Sequence, residues 1–214
     1  MENKKIKILF VPSDLAGVGH FRCIWPAQQM NKDFDGEFDI EITHQPNYDD
    51  FEYFAKFDII HFHRELGSFE NMPNFFKKLK ERGVKLIVDI DDYWMPPTTH
   101  PLYYMITKHK VDERILGFIK NSDYVTTTTN IFAKEISKHN KNVFVVPNAL
   151  DENHQMWNGT DTKQTEKVRI SWIGGSCYDN KTEILTENGF KFFKDLDKNE
   201  KVACLNPKTN DLEF

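Results

Sequence analysis

The stretch Ile6–Arg22, IKILFVPSDLAGVGHFR, sets the fold class. Ile6–Val11 is a short apolar run rich in β-branched residues, the composition of a buried strand. It breaks at Pro12-Ser13-Asp14 and reaches Gly17-Val18-Gly19. Two glycines let the backbone turn tightly and approach a ligand closely. A helix starting behind them offers free N–H groups to a phosphate. His20 and Arg22 add hydrogen-bond donors. The pattern is G-x-G alone, without the further glycine of a dinucleotide fingerprint. A tight β–α turn with no ligand accounts for it equally well.

Working outward, strand-like and helix-like segments alternate through the first 150 residues or so. Phe38–Thr43 alternates in strand fashion, and Phe57–His63 (FDIIHFH) reads as a strand. Asn74–Arg82 has a helical pattern that Gly83 should stop. Val84–Ile90 (VKLIVDI), Asp123–Thr128 and Val143–Val146 are further strands, and Asn130–His139 reads as a helix capped by Asn130. Short apolar strands separated by helices predict a doubly wound parallel sheet covered on both faces. Such sheets bind ligands outside the carboxyl ends of their strands.

Those strand ends carry the polar chemistry. The strand Val84–Ile90 runs into Asp89-Ile90-Asp91-Asp92-Tyr93-Trp94, followed by Pro96-Pro97 and His100-Pro101. Three carboxylates there suit a metal or acid/base site, and Asp89-Ile90-Asp91 mimics the DxD metal motif of the GT-A glycosyltransferase fold. The bland alternative is that Asp89 and Asp91 point the same way while Asp92 pairs locally. His61, His63 and Arg64 end the third strand, either as acceptor contacts or as rim residues.

Composition narrows the class. The 214-residue chain is 29% charged and 39% hydrophobic, with a formal net charge of -5. That suits a globular protein and gives no basic footprint for nucleic acid. The run Ile8–Val11 is too short for a signal-peptide core, and no stretch approaches the roughly 18 apolar residues of a membrane span. The cysteines Cys23, Cys177 and Cys204 have no CxxC spacing, which fits a reducing compartment, so a cytoplasmic protein is expected.

The order GVGHFRCIWPAQQM, FDIIHFHREL, VKLIVDIDDYWMPPTTHPLY, SDYVTTTTNIFAKEI, VFVVPNALD and VRISWIGG resembles the large family-four group of GT-B glycosyltransferases over most of Lys7 to Gly175. Pro147-Asn148-Ala149-Leu150-Asp151 matches the turn closing that family's first domain. Val168–Ile173 with Gly174-Gly175 matches the opening of its second, and the polar stretch Asp151–Lys167 reads as a linker. The resemblance implies an inter-domain cleft, a nucleotide-sugar donor as substrate, retention of anomeric configuration and no DxD metal. It places Gly17, Gly19, Gly174 and Gly175 near the donor, His20, Arg22 and Asp91 as acceptor or cleft residues, and His100 facing the reacting sugar. The family's E-x(7)-E donor motif does not occur before the sequence ends.

After Ser176 the style changes. Cys177-Tyr178-Asp179-Asn180-Lys181-Thr182-Glu183-Ile184-Leu185-Thr186, then Asn188-Gly189-Phe190 and Asp195-Leu196, resembles the first block of inteins (the Hint fold) over Cys177 to Phe214. This tail is expected to be a small, incomplete all-β segment of hairpins, with turns at pairs such as Asn188-Gly189 and Asn206-Pro207. The resemblance implies that the Cys177 thiol attacks the Ser176 carbonyl in an N-to-S acyl shift. Neither the TxxH histidine that polarises the bond nor the final His-Asn pair follows Cys177 in this sequence.

The sequence therefore predicts residues 1–150 as a Rossmann-like first domain, 151–176 as linker plus the first strand of a second domain, and 177–214 as an intein N-fragment. The expected partner is a complementary C-terminal intein fragment fused to the rest of the transferase, and splicing itself needs no cofactor. An interrupted gene fragment without a splicing partner, or a Rossmann-type binding module, would share the same first domain.

Overall fold

A computed structural model describes residues 4–148, 183–205 and 211–213. The chain divides into two compact units, Met1–Asn158 and Gly159–Phe214.

The first unit is α/β. Its strands are β1 (Ile6–Val11), β2 (Phe38–Ile42), β3 (Ile59–His63), β4 (Lys85–Ile90), β5 (Tyr124–Thr127) and β6 (Val143–Val145), all paired in parallel. They form one sheet in the order β2-β1-β3-β4-β5-β6. The chain steps from β1 out to β2, then crosses back to β3 on the other side of β1. The order thus reverses between β1 and β3, and in such sheets a crevice opens outside the carboxyl ends of the two strands at the reversal.

The two faces of the sheet differ. One is apolar: the row Val11, Phe62, Val88, Val125 and its neighbours Leu9, Ile60 and Leu86 are all buried. Against it pack Phe54 of the helix Phe51–Ala55, Phe76 and Leu79 of Met72–Glu81, and Ile115, Phe118 and Ile119 of Val111–Asn121. The rings of Phe62, Phe76 and Phe118 lie 5.7 to 5.8 Å apart in tilted and edge-on pairs. The other face is mixed. Ile8 and Phe10 meet Cys23 and Ala27 there, but the next rows carry His61, then His63, Asp89 and Thr126.

The helix facing those polar rows opens at Gly17–Gly19, widens to a π-helix over His20–Ile24 and continues as an α-helix over Trp25–Asp33. Pro26 explains the widening. It has no N–H to give and its ring crowds the carbonyl four residues back, so the preceding turn relaxes outward. Trp25 N donates to His20 O across five residues.

Most sequence boundaries shift by one or two residues. The helix expected over Asn74–Arg82 spans Met72–Glu81, because Pro73 pre-sets its first turn. Gly83 does end it, at φ +86, with Gly83 N donating to Lys80 O and Val84 N to Leu79 O. The helix Asn130–Ile136 is shorter than expected and is capped by Thr129, not Asn130: the Thr129 hydroxyl accepts from Phe132 N. Thr129 has the extended backbone a cap requires, whereas Asn130 already lies inside the helix. The linker 151–167 and the strand 168–173 lie outside the described residues.

In the second unit, β7 (Glu183–Thr186) and β8 (Gly189–Phe192) form an antiparallel hairpin, and Gly189 takes φ +103 at its turn. Val202 bridges to Thr186 on the other edge of β7. Short strands β9 (Cys204–Leu205) and β10 (Leu212–Glu213) pair antiparallel. The antiparallel hairpin expected of this segment is present in its described residues, including the turn near Asn188-Gly189, but a short 3-10 turn at Phe193–Asp195 follows it, so the segment is not all-β; Asn206-Pro207 lies outside the described residues. Glu200 anchors the hairpin, receiving Lys191 Nζ at 2.6 Å and Asn188 Nδ2 at 3.2 Å. The Lys191 contact holds its carboxyl at about 2.

No described helix is long and apolar enough to cross a membrane.

The two loop glycines differ. A Cβ on Gly19 would stand 1.9 Å from the Asp14 carbonyl oxygen, whereas one on Gly17 would meet nothing within 4 Å. Gly19→Ala should destabilise the chain by about 1–3 kcal/mol through forced backbone movement. Gly17→Ala should be neutral or stabilising by up to about 1 kcal/mol, since alanine favours helix. Urea unfolding of both variants checks this.

Candidate functional site

Residues from the carboxyl ends of β1, β3 and β4 converge at the reversal point of the sheet. The loop after β1 is organised by Asp14. Its Oδ1 accepts from Ala16 N at 2.8 Å and Gly19 N at 3.1 Å. Burial raises the Asp14 pKa, but these two backbone donors and the Ser13 hydroxyl outweigh it and leave it below the ordinary carboxylate value. Asp14 thus accepts from the first turn of the helix that Gly17 begins, although the cap position itself is Ala16, satisfying donors that turn cannot pair internally. The N–H groups of Gly17 and Val18 in that turn have no acceptor within the helix.

Beside this loop, Ser13 Oγ lies 2.6 Å from His63 Nδ1. On the far side of the ring, His63 Nε2 lies 2.8 Å from Asp91 Oδ1. His63 is buried while Ser13 is exposed. Asp91 also takes two bonds from Arg64, Nε to Oδ1 at 2.9 Å and Nη2 to Oδ2 at 3.2 Å, and Arg64 Nη2 reaches Asp92 Oδ2 at 2.5 Å. Burial pushes the Asp91 carboxyl up, but the His63 hydrogen bond and the charges of His63 and Arg64 prevail and hold it at about 2.

Arg64 is placed by a strained backbone. Its φ is +65, uncommon for a non-glycine residue. Arg64 N donates to Asp89 O at 3.0 Å, and Glu65 N donates to His63 O at 2.8 Å, closing a three-residue turn around it. Such strain concentrates where the surrounding structure must fix a functional side chain.

Beneath this group is a buried polar layer. Arg22 Nε and Nη2 donate to Asp89 Oδ2 and Oδ1 at 2.8 and 2.6 Å, and Nη1 donates to Val146 O and Asn148 Oδ1. Both side chains are at most 3% exposed. Burial lowers the Arg22 pKa, but Asp89 outweighs it and raises the guanidinium above its usual value. Thr126 Oγ1 donates to Asp89 Oδ1 at 2.6 Å. His61 lies beside Thr126 and the Cys23 thiol. Burial lowers the His61 pKa to about 4, so it is neutral near pH 7, and burial pushes the Cys23 thiol up.

These placements sort the expected site residues. Gly17 and Gly19 are at the reversal point, and Asp91 stands across it, held by His63 and Arg64. Arg22, expected to face a cleft, instead lies inside the unit: Nε, Nη1 and Nη2 all donate to protein acceptors, and it acts as a clamp rather than a ligand donor. The π turn and the position of Asp89 on the sheet face draw it inward. His20 is partly spent as well, with Nδ1 2.7 Å from Ala16 O and its ring edge-on to Trp25. His100 lies in the loop after β4 and accepts from Leu102 N at Nδ1; it touches none of the convergent group. Asp89 and Asp91 do share a direction, but each has its own cationic partner. Among the described residues no group of three or more His, Cys, Asp or Glu is arranged to hold a metal ion. Gly174, Gly175, Ser176 and Cys177 lie outside the described residues.

Sequence reasoning missed Ser13 and Asp14. Asp14 five residues before Gly19, in a loop entering a helix, was the available signal for a cap. Nothing in the sequence signalled the Ser13–His63 contact, which joins residues 50 positions apart.

The chain matches no family model, and no curated protein matches it either.

Arg22→Ala should cost about 3–5 kcal/mol in urea unfolding, because it leaves the Asp89 carboxylate buried without its partner.

Asp91 makes stability depend on pH in the acid range. Its folded pKa of about 2 is below the ordinary value of 3.8. The stabilisation it gives is therefore complete above about pH 4 and is lost as pH falls toward 2. Asp91→Asn should flatten that part of the curve of unfolding free energy against pH.

Proposed function

We propose that residues 1–176 are the leading part of a nucleotide-sugar-dependent, retaining glycosyltransferase of the GT-B kind. Residues 177–214 are, in this reading, the N-terminal fragment of an intein. The rest of the intein and of the transferase would be supplied beyond these residues, on the same or a second chain, and splicing through Cys177 would join the two halves.

The observation that carries the transferase reading is where the glycine loop falls. Gly17 and Gly19 enter a helix at the one place where the order of the parallel sheet reverses. Gly19 is required by its approach to Asp14, but Gly17 has open space where a Cβ would be. A glycine that the fold does not require, at the crevice where such sheets bind ligands, suits close approach by a phosphate-bearing donor. Across the crevice, Asp91 keeps acceptor capacity beyond the bonds it takes from His63 and Arg64, the kind of group a sugar hydroxyl donates to. The antiparallel hairpin that Glu183–Thr186 forms with Gly189–Phe192 supports the intein reading, because the resemblance places a strand and a turn on those residues.

The chemistry assigns each residue a role. The Cys177 thiolate attacks the Ser176 carbonyl, so the peptide C–N bond is exchanged for a thioester. A histidine from the partner fragment would polarise that bond. Transfer of the sugar then depends on both domains holding donor and acceptor together.

Mixing the chain with a candidate C-terminal fragment should give a ligated product and a free intein by mass spectrometry. Excess small thiol should divert the thioester and release residues 1–176. Cys177→Ala should abolish both, since no sulfur remains to accept the acyl group. Normal splicing by Cys177→Ala would overturn the intein assignment. Steady turnover of a nucleotide-sugar by the unspliced chain would overturn the half-enzyme assignment.

A further inference from the structure

Ser13, His63 and Asp91 come from the ends of three neighbouring strands and align through the two nitrogens of one buried imidazole. Asp91, with its carboxyl held at about 2, is ionised near neutrality and can only accept. The hydrogen on His63 therefore sits on Nε2, facing Asp91 Oδ1 at 2.8 Å. When the ring carries that hydrogen alone, a bare Nδ1 faces Ser13 Oγ at 2.6 Å. Arg64, fixed in its left-handed turn, grips both oxygens of Asp91 and stops the carboxylate from rotating away. The base and its orienting carboxylate are covered, with side-chain exposures of 0% and 11%, while Ser13 faces solvent. A nucleophile bonded to a base that is itself oriented by a third group is the general arrangement of an activated hydroxyl.

We propose that Ser13 is a reactive serine, its hydroxyl activated by His63 and oriented through Asp91, that accepts an acyl group from a carboxylic ester. Ser13 Oγ attacks the ester carbonyl as its proton passes to His63 Nδ1. The C–O bond to the alcohol breaks, and His63 returns the proton to the departing alcohol. Water, deprotonated by the same nitrogen, then cleaves the acyl-serine, giving the carboxylic acid and restoring the hydroxyl. No oxidant, metal or second chain is needed, so this activity stands or falls apart from glycosyl transfer and splicing.

The charged groups facing the relay set its working condition. From the loop after β1, Asp14 Oδ2 stands 3.1 Å from Ser13 Oγ and competes for the same proton. The shorter contact to His63 places that proton toward the ring. From the segments after β3 and β4, Arg64 neutralises Asp91 and reaches Asp92. A ring that donated from both nitrogens could not accept the Ser13 proton, which would turn to Asp14 instead. Reactivity is therefore expected only while the ring is neutral.

The test uses the full chain and an alkyl fluorophosphonate, whose P–F bond breaks as Oγ–P forms. Mass spectrometry should find one adduct, on Ser13, and Ser13→Ala should prevent it. His63→Gln and Asp91→Asn should each slow labelling by roughly 100-fold, the usual scale of a lost general base or its orienting group. Circular dichroism and thermal unfolding establish that each variant is folded. If His63→Gln does not fold, the native chain still decides: its labelling rate should rise with pH along a one-proton curve. Hydrolysis of p-nitrophenyl acetate should show the same dependence on Ser13 and pH. No adduct on Ser13 in the folded chain, equal labelling in folded His63→Gln, or a flat pH profile would each overturn the proposal.

Discussion

The forked pair between Arg22 and Asp89 holds the polar side of the sheet together. Two parallel bonds of 2.8 and 2.6 Å join the helix after β1 to β4 near its carboxyl end, in a place almost closed to water. A pair so buried gives little net stability, because both ions lose their hydration. What it does give is position. Arg22 Nη1 continues to Val146 O and Asn148 Oδ1, so the end of β6 is tied to the same helix. Asp89 also accepts from Thr126 Oγ1, tying in β5. One guanidinium and one carboxylate thus register four elements, and the glycine loop at the head of that helix is fixed over the ends of β1 and β3.

The same strand shows how spacing on a sheet separates duties. Asp89 and Asp91 are two apart and point to one side. Asp89 lies within the strand and is taken by Arg22. Asp91 lies just beyond the strand end and is taken by His63 and Arg64. His61 and His63 repeat the pattern on β3: the inner ring is held neutral among Phe10, Cys23 and Thr126, while the outer one meets Ser13. In each pair the residue one step deeper serves the fold, and the one at the rim meets the loop. A doubly wound sheet imposes this division, because backbone pairing ends where solvent begins.

The strands were legible because burial on both faces writes itself as apolar runs: Ile6–Val11 is correct to the residue, and the other five strands of the described sheet are within two. Gly83 was legible as a stop because only glycine takes a left-handed turn without strain. Thr129 was not, since Thr126, Thr127, Thr128, Thr129 and Asn130 are all competent caps and only the observed backbone selects one. The site was half legible. Asp91, His63 and the glycines stood out by type and by their place at strand ends. The fate of Arg22 did not, because a π turn set by Pro26 rotates it inward. Pairings such as Ser13 with His63 depend on which strands become neighbours, and local sequence carries no record of that.

The polar rows also bear on why chemistry belongs at this end of the sheet. An apolar interior would have packed His61, His63, Asp89 and Thr126 away as leucine and valine at no cost in hydrogen bonds, and the opposite face of the same strands does so with Phe62, Val88 and Val125. Each buried polar group here must instead find a partner or lose one to three kcal/mol or so. The residues meet that demand with one another: Cys23 with His61, His61 with Thr126, Thr126 with Asp89, Asp89 with Arg22. The layer ends at the surface with His63, Asp91 and Ser13, where the strained Arg64 turn adds a further cost. Stability alone selects neither a polar layer nor a left-handed arginine. Both are consistent with a strand-end group that must be held in one geometry, with its proton directions fixed from below before any ligand arrives.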